Sequence, residues 1–168
     1  MTEHAEEIVV GVDGSQASVA ALRWAMEQAR ALGTPVVAVH AWEPVTAGFA
    51  PYAPASARPT VAQQRERAAE VLASSVHAAF DPRGGLELRA VVVEGPPARV
   101  LLRYARGALL LALGRRAHGQ WELPVVGAVG RECLRYATVP VVTVPAPERR
   151  EARLTAVGVA ADIRTGAA

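Results

Sequence analysis

The chain lacks lysine altogether, has a single cysteine, and contains no apolar run long enough to cross a bilayer. Because all 18 basic residues are arginine, no residue can form a Schiff base or act as the lysine of a Walker A loop. The lone Cys133 cannot form an intramolecular disulfide, and the N-terminal MTEHAEEIVV lacks the basic residues of a secretory signal. The apolar run at 109–113 stops at Gly114, well short of the roughly 20 residues that a membrane span requires. These absences predict a cytoplasmic protein without a membrane segment.

Several functional signatures are missing as well. The formal charge is only +2 and the arginines are scattered, which argues against nucleic-acid binding. The four histidines lie far apart, and none forms a metal-ligand pair with Cys133 or an acidic residue. No G-x-S-x-G, G-x-G-x-x-G or P-loop pattern is present, so hydrolase, dinucleotide-binding and P-loop functions all lack their key residues.

The composition is that of one folded domain, with 168 residues of which 51% are apolar and 20% charged. EIVVGVD at 7–13 predicts a strand, and a helix capped by Ser15 and ended by Gly33 follows it. PVVAVHAW at 35–42 predicts the second strand. A capping-box pattern at 60–63 opens a second helix, which runs to about residue 80.

The second half of the chain continues this alternation. LELRAVVVEG at 86–95 predicts the third strand, PPARVLLRYARG a short helix, and ALLLALG at 108–114 a central strand buried on both faces. A further helix is expected to end at about residue 137, and VPVVTVP forms the last strand. The apolar face of that helix is expected to contain Val126, Val129, Cys133 and Ala137.

The alternation predicts an α/β fold, an open five-stranded parallel sheet with helices on both faces in a three-layer, Rossmann-like arrangement. The strand order that we expect for this sheet is 3-2-1-4-5. Ligands bind such sheets outside the carboxyl ends of the strands, where the strand order reverses. That reversal lies between strands one and four, which end at Asp13 and Gly114. We expect this domain to span residues 1–145.

Two segments fall outside the pattern. The proline-rich stretch at 43–59 predicts a long loop, which could act as a lid, form part of a partner surface, or be a mobile surface loop. Residues 146–168 form a C-terminal extension in which LTAVGVAADI has strand character and faintly echoes IVVGVDGS. An added edge strand, a vestige of a second repeat and a disordered tail all fit this extension.

The stretch from Gly114 to Gly130 joins a buried strand to a helix and carries the clearest chemical signal. Glycines let the backbone approach phosphate oxygens, and the following helix offers unpaired N–H groups and the positive end of its dipole. Gly127, Ala128 and Val129, together with Gly130, are placed to supply those N–H groups. The sequence therefore predicts a phosphate site at this loop.

Three passages resemble the universal stress protein family over residues 7–145: IVVGVDGSQAS, VVVEGPPARVLL and LLALGRRAHGQWELPVVGAVGRECLRYATVPVVTV. Nucleotide-binding members of that family carry a motif of Gly, two residues, Gly, nine residues, then Gly followed by Ser or Thr. In this chain the four motif positions are occupied by Gly114, Ala117, Gly127 and Ala128.

The resemblance implies a stress-response protein that binds ATP or a related adenine nucleotide, with or without Mg²⁺, as a conformational or partner switch that needs no catalysis. It places the Asp13 carboxylate near the ribose and the backbone around Ala41 near the adenine. It also implies a homodimer joined through the last strand, at Val141, Val142, Thr143 and Val144. The residues implied to bind nucleotide are Val12, Asp13, Ala41, Gly114, Arg115, Arg116, Ala117, Gly127, Ala128, Val129 and Gly130.

Two positions depart from the family motif. Ala117 replaces a glycine, which strains the loop by about 1 to 3 kcal/mol if that position needs a positive φ. Ala128 removes a hydroxyl that would bond phosphate, a loss of roughly 0.5 to 1.5 kcal/mol. Arg115, Arg116 or His118 could compensate by pairing with phosphate.

These departures leave a second function open, a nucleotide-free dimeric interaction module of the same fold. A third, an enzyme transferring adenylyl or phosphoryl groups, lacks a metal-binding acid pair, a lysine or a base near the loop. Purely structural roles are also open. Asp13 could shape the turn before Ser15, Gly114 and Gly127 could be turn glycines, and Cys133 is expected to be a core thiol.

Overall fold

The computed structural model describes residues 6–45, 59–79, 85–115 and 126–147. Strands and helices alternate along them as β1 Ile8–Gly11, α1 Gln16–Leu32, β2 Val36–Trp42, α2 Val61–Ala79, β3 Leu88–Glu94, α3 Pro97–Tyr104, β4 Leu110–Arg115, α4 Ala128–Tyr136 and β5 Val141–Pro145. All neighbouring strands pair in parallel, in the order β3-β2-β1-β4-β5. The predicted fold class and strand order are therefore confirmed.

Two apolar layers cover the two faces of the sheet. Successive residues of β1 point to opposite faces, so Ile8 and Val10 pack with α1 and α2, whereas Val9 packs with α3 and α4. Leu22, Met26 and Leu72 contribute to the first layer, and Leu101, Leu111 and Cys133 contribute to the second. Because both faces of the central strands are buried, β1 and β4 consist almost wholly of apolar residues.

The helix ends follow the capping residues of the sequence. The Ser15 side chain accepts a hydrogen bond from the backbone N–H of Ser18, and Gly33 ends α1 in the left-handed conformation at φ 66°. At the start of α2, Thr60 and Gln63 form the predicted reciprocal capping box, with N–H to side-chain oxygen distances of 2.8 and 3.1 Å.

Two local predictions were wrong. The first strand was expected to reach Asp13, but the paired ladder ends at Gly11 because the chain turns there toward the α1 cap. Val129 was expected on the apolar face of α4, but it is 36% exposed, whereas Gly130 and Cys133 are buried. The helix begins at Ala128, so Val129 falls in the open first turn instead of against the sheet.

Some predictions fall outside the described residues. These concern most of the 43–59 loop, residues 116–125 with Arg116, Ala117 and His118, and nearly all of the C-terminal extension. Within the part of the chain that is described, no helix is both long and apolar enough to cross a bilayer.

Cys133 is a core thiol, as the sequence predicts, with no exposed surface. Burial raises the pKa of this thiol from its ordinary 9.0 to about 11, with a further contribution from the Glu132 carboxylate. We expect native Cys133 to react with a thiol reagent at pH 8 about 100-fold more slowly than in urea. Equal rates in the native and unfolded protein would contradict this burial.

The raised pKa of Cys133 also determines whether the protein gains or loses stability as the pH rises. Above pH 9 the unfolded thiol loses its proton first, so the stability that Cys133 contributes is present below pH 9 and falls as the pH rises toward 11. Cys133→Ala is the control, and its free energy of unfolding should decline less steeply over that range.

Candidate functional site

A cleft of about 440 Å³ opens at the carboxyl ends of β1 and β4, where the strand order reverses. Gly11 and Leu113 are the last paired residues of these two neighbouring strands, and beyond them the chains diverge. The cleft is lined by Gly11, Val12, Asp13, Ser15, Ser18, Val39, Ala41, Pro97, Leu101, Leu113, Gly114, Gly127, Ala128, Val129 and Gly130.

Most of the residues predicted to bind nucleotide meet in this cleft. Those that line it are Val12, Asp13, Ala41, Gly114, Gly127, Ala128, Val129 and Gly130. Arg115 ends β4 and does not line the cleft; its Nε is buried without a hydrogen-bond partner among the described residues. Arg116 and Ala117 belong to the segment that is not described.

Asp13 serves the turn before α1 and also lines the cleft. Its Oδ1 accepts a hydrogen bond of 2.9 Å from the backbone N–H of Ser15, which is the local turn expected of this residue type. Its own backbone N–H donates to the Ser18 hydroxyl at 3.3 Å. The turn therefore places a carboxylate at the rim of the cleft.

Helices α1 and α4 both begin at the cleft, but only α1 has a side-chain cap. At α1 the Ser15 hydroxyl accepts the N–H of Ser18 at 3.1 Å, and the Asp13 carboxylate lies beside it. At α4 the N-cap Gly127 has no side chain to offer, and the first turn contains no acidic residue. An anion is therefore attracted to α4 and disfavoured at α1.

The start of α4 leaves several donors without helical partners. The first helical hydrogen bond runs from the N–H of Arg131 to the carbonyl of Gly127, at 2.9 Å. The N–H groups of Ala128, Val129 and Gly130 precede it and so have no acceptor within the helix. Since these three residues line the cleft, an anionic ligand there can bind three backbone donors.

The contrast between the two helices gives a stability prediction. Ser15→Ala should lower the free energy of unfolding by about 1 kcal/mol, because it removes the acceptor of the Ser18 N–H. Urea denaturation measures this change. Ser15→Asp, which restores an acceptor, should stay close to the wild type, and an unchanged midpoint for Ser15→Ala would contradict the capping role.

Gly114 and Gly127 both line the cleft, but only Gly114 has neighbours that leave no space for a side chain. A Cβ on Gly114 would lie 2.4 Å from the backbone carbon of Ala17 and 2.5 Å from the backbone nitrogen of Ser18. Gly114 is thus required by the close packing of β4 against the start of α1. A Cβ on Gly127 would meet no atom within 4 Å, and its φ of −61° suits any residue. Nothing among the described residues requires glycine there, and its missing side chain leaves room in the cleft.

One wall of the cleft is apolar, and sequence reasoning missed most of it. Val39 and Leu113 come from β2 and β4, and Pro97 and Leu101 come from consecutive turns of α3. Ala41, near the end of β2, also lines the cleft and continues this wall. The i, i+4 spacing of Pro97 and Leu101, in a helix that follows the third strand, is the signal that would have found them.

The described residues show no cluster of three or more His, Cys, Asp or Glu side chains that could hold a metal ion. Asp13 is the one acidic residue that lines the cleft within that part of the chain. The described part of the cleft therefore offers backbone donors, small side chains and one carboxylate to a ligand.

A parallel α/β sheet with an anion-attracting helix start at its strand-order reversal defines the class of α/β domains that hold ligands at a topological switch point. Within that class the chain belongs to the universal stress protein family, whose family model matches residues 4–145.

Comparison with individual proteins agrees. The chain is 32% identical over 135 residues to a universal stress protein of Mycobacterium tuberculosis, covering 80% of this chain and 43% of that protein, so it spans less than half of that relative's length. A universal stress family structure from Burkholderia pseudomallei is 27% identical with a TM-score of 0.62, covering 87% of this chain and all of that one. The universal stress protein of Archaeoglobus fulgidus solved in complex with dAMP shares the fold at 22% identity and a TM-score of 0.56, covering 82% and 96%.

Proposed function

We propose that the cleft binds an adenine nucleotide, with its phosphate at the start of α4. The observation that carries this proposal is the pairing of an uncapped helix start, opened by Gly127, with the Asp13 carboxylate in one cleft. A ligand that is anionic at one end and rich in hydroxyl groups in the middle satisfies both features. A ribonucleotide is such a ligand.

The three parts of the nucleotide have distinct partners in this proposal. The phosphate oxygens accept hydrogen bonds from the N–H groups of Ala128, Val129 and Gly130. The ribose hydroxyls donate to Asp13, and the adenine lies along the apolar wall with the Ala41 backbone at its polar edge. The dAMP complex of the Archaeoglobus fulgidus relative supports adenine as the base.

ATP, with or without Mg²⁺, is the ligand we propose within this class, and binding rather than catalysis is the proposed role. The described residues that line the cleft offer no basic side chain to a β- or γ-phosphate. Arg115, which directly follows the cleft residue Gly114, and Arg116 after it are the proposed partners of those phosphates, which requires the Arg115 side chain to turn toward the cleft on binding.

The proposed switch runs from the cleft through α4 to the sheet edge. Helix α4 begins at the phosphate site and leads directly into β5, which pairs only with β4 among the described strands. The other edge of β5, at Val141, Val142, Thr143 and Val144, is the surface through which we propose that two copies dimerise. Ligand binding at the start of α4 would then bias the position of the dimerising strand.

A specific feature favours the second candidate, a nucleotide-free dimeric module. Ala128 lines the cleft at the motif position where the family pattern has a hydroxyl, so a methyl group replaces one donor to phosphate. If this loss outweighs the three backbone donors, the same sheet and edge strand serve only as a scaffold.

One experiment separates the two candidates. The purified protein is denatured, any released nucleotide is identified, and melting is measured with millimolar AMP, ATP and adenosine. A ligand present at about 100 times its Kd stabilises the native state by about 2.7 kcal/mol, which raises Tm by roughly 5 to 10 °C.

We expect both AMP and ATP to raise Tm more than adenosine does. Asp13→Asn is the matched variant, since it keeps a side-chain oxygen for the Ser15 turn but removes the charge that favours ribose donors. Its Tm rise with AMP should shrink. No released nucleotide and no Tm rise with any ligand would reject nucleotide binding and support the scaffold.

A further inference from the structure

The carbonyl of Val12 lies one residue beyond Gly11, the last residue of β1 that pairs with both neighbouring strands. β1 is paired on both sides up to Gly11, opposite Val39 of β2 and Leu113 of β4. The N–H of Val12 still reaches the carbonyl of Val39, at 2.9 Å, but the residue lies beyond the paired strand. Val12 is only 4% exposed, so its carbonyl needs a partner within the protein.

His40 supplies that partner. Its Nδ1 lies 2.7 Å from the Val12 carbonyl oxygen, and since a carbonyl can only accept, Nδ1 carries the proton. Alternation along β2 places the His40 side chain with Ala38 on the α1 and α2 face of the sheet, whereas Val39 faces the cleft. His40 therefore does not line the cleft.

The other end of the same peptide group is held from α1. The N–H of Asp13, which belongs to the peptide that carries the Val12 carbonyl, donates to the Ser18 hydroxyl at 3.3 Å. Ser18 is 2% exposed, and its hydroxyl donates in turn to the carbonyl of Ser15, at 2.9 Å. Two side chains from separate elements thus fix one rigid peptide plane.

We propose that His40 is a positioning residue for Asp13. With its carbonyl held by His40 and its N–H held by Ser18, the Val12–Asp13 peptide has one orientation, and this sets the direction in which the Asp13 side chain leaves the backbone. The functional consequence rests on the proposed nucleotide binding, in which the Asp13 carboxylate accepts the ribose hydroxyls. His40 acts on the ligand through this peptide and does not touch it.

Two substitutions of His40 separate its hydrogen bond from its bulk. His40→Asn keeps an N–H donor near the Nδ1 position, whereas His40→Leu fills similar space and donates nothing. Isothermal titration with AMP should show about a tenfold loss of affinity for His40→Leu and a loss of less than about threefold for His40→Asn. Equal losses in both variants, or none in His40→Leu, would overturn the proposal.

Two further comparisons distinguish positioning from a general effect on folding. In an Asp13→Ala background, His40→Leu should cost no further affinity, because the carboxylate that it positions is already gone. With 2′,3′-dideoxy-AMP, which lacks both ribose hydroxyls, the wild type and His40→Leu should bind equally well. An additive loss in the double variant, or the same tenfold loss with the dideoxy ligand, would overturn the proposal.

A measurement without ligand tests whether His40 holds the Val12–Asp13 peptide. In the free protein, nitrogen NMR should find Nδ1 of His40 protonated, and the Asp13 amide should exchange with solvent at least about tenfold faster in His40→Leu than in His40→Asn. The same exchange rate in both variants would show that the His40 hydrogen bond does not hold the Val12–Asp13 peptide. If the wild type binds no adenine nucleotide, the proposed function fails, and amide exchange alone still decides whether His40 holds the Val12–Asp13 peptide.

Discussion

Gly114→Ala is expected to destabilise the protein by about 3 kcal/mol or to prevent folding, because the added methyl group has no space. The new Cβ would lie 2.4 Å from the Ala17 backbone carbon and 2.6 Å from its carbonyl oxygen. Flexible side chains can move aside, but these are backbone atoms at the first turn of α1, which Ser15 and Ser18 hold in place. Urea denaturation measures the change in the free energy of unfolding.

Gly127→Ala is the matched control for this substitution. It adds the same methyl group to a second glycine of the same motif, where no atom lies within 4 Å and φ is −61°. Because alanine is a poorer N-cap than glycine, its free energy of unfolding should fall by up to about 1 kcal/mol, well short of the loss in Gly114→Ala. If the two variants were equally stable, the close contact between β4 and the start of α1 would be wrong.

Gly127→Asp is expected to change stability and nucleotide binding in opposite directions. An aspartate at the N-cap accepts hydrogen bonds from the first turn of α4 and interacts favourably with the helix dipole, raising the free energy of unfolding by about 1 kcal/mol. The same carboxylate occupies the phosphate position and repels the ligand. AMP affinity should fall on the order of 100-fold, which corresponds to about 2.7 kcal/mol.

Gly127→Asn separates the two effects. Asparagine caps a helix about as well as aspartate but carries no charge, so it should give a similar gain in stability with a smaller loss of AMP affinity. Adenosine should bind the aspartate variant nearly as well as it binds the wild type. Unchanged AMP binding by Gly127→Asp would contradict a phosphate site at the start of α4.

The fold could be predicted from the sequence because the residues that cap its helices and form its buried strands act locally. Ser15, Gly33 and the Thr60–Gln63 capping box each act within one turn of a helix, and the structure places all of them as predicted. The buried parallel strands appear as continuous apolar runs because both of their faces are covered. Once the strand order is given, the right-handedness of the crossovers fixes the face of the sheet on which each helix lies.

The site could be predicted only in part, because the contacts that define it join residues far apart in the sequence. The need for glycine at 114 comes from Ala17 and Ser18, almost a hundred residues earlier, and no local pattern shows it. The bond from His40 to Val12 likewise depends on the sheet register. Val129 shares a helix face with Cys133, but it lies in the first turn of α4, which opens on the cleft, and the spacing of apolar residues does not show that opening.

The central claim is that the N–H groups at the start of α4 bind the phosphate of an adenine nucleotide. Its most direct test is an NMR titration that follows the backbone amides of Ala128, Val129 and Gly130 while AMP or adenosine is added. We predict that AMP shifts these three amides strongly and that adenosine leaves them nearly unchanged while both ligands shift Ala41. If AMP left the three amides unmoved, or moved them no more than adenosine does, the phosphate site would not be at α4.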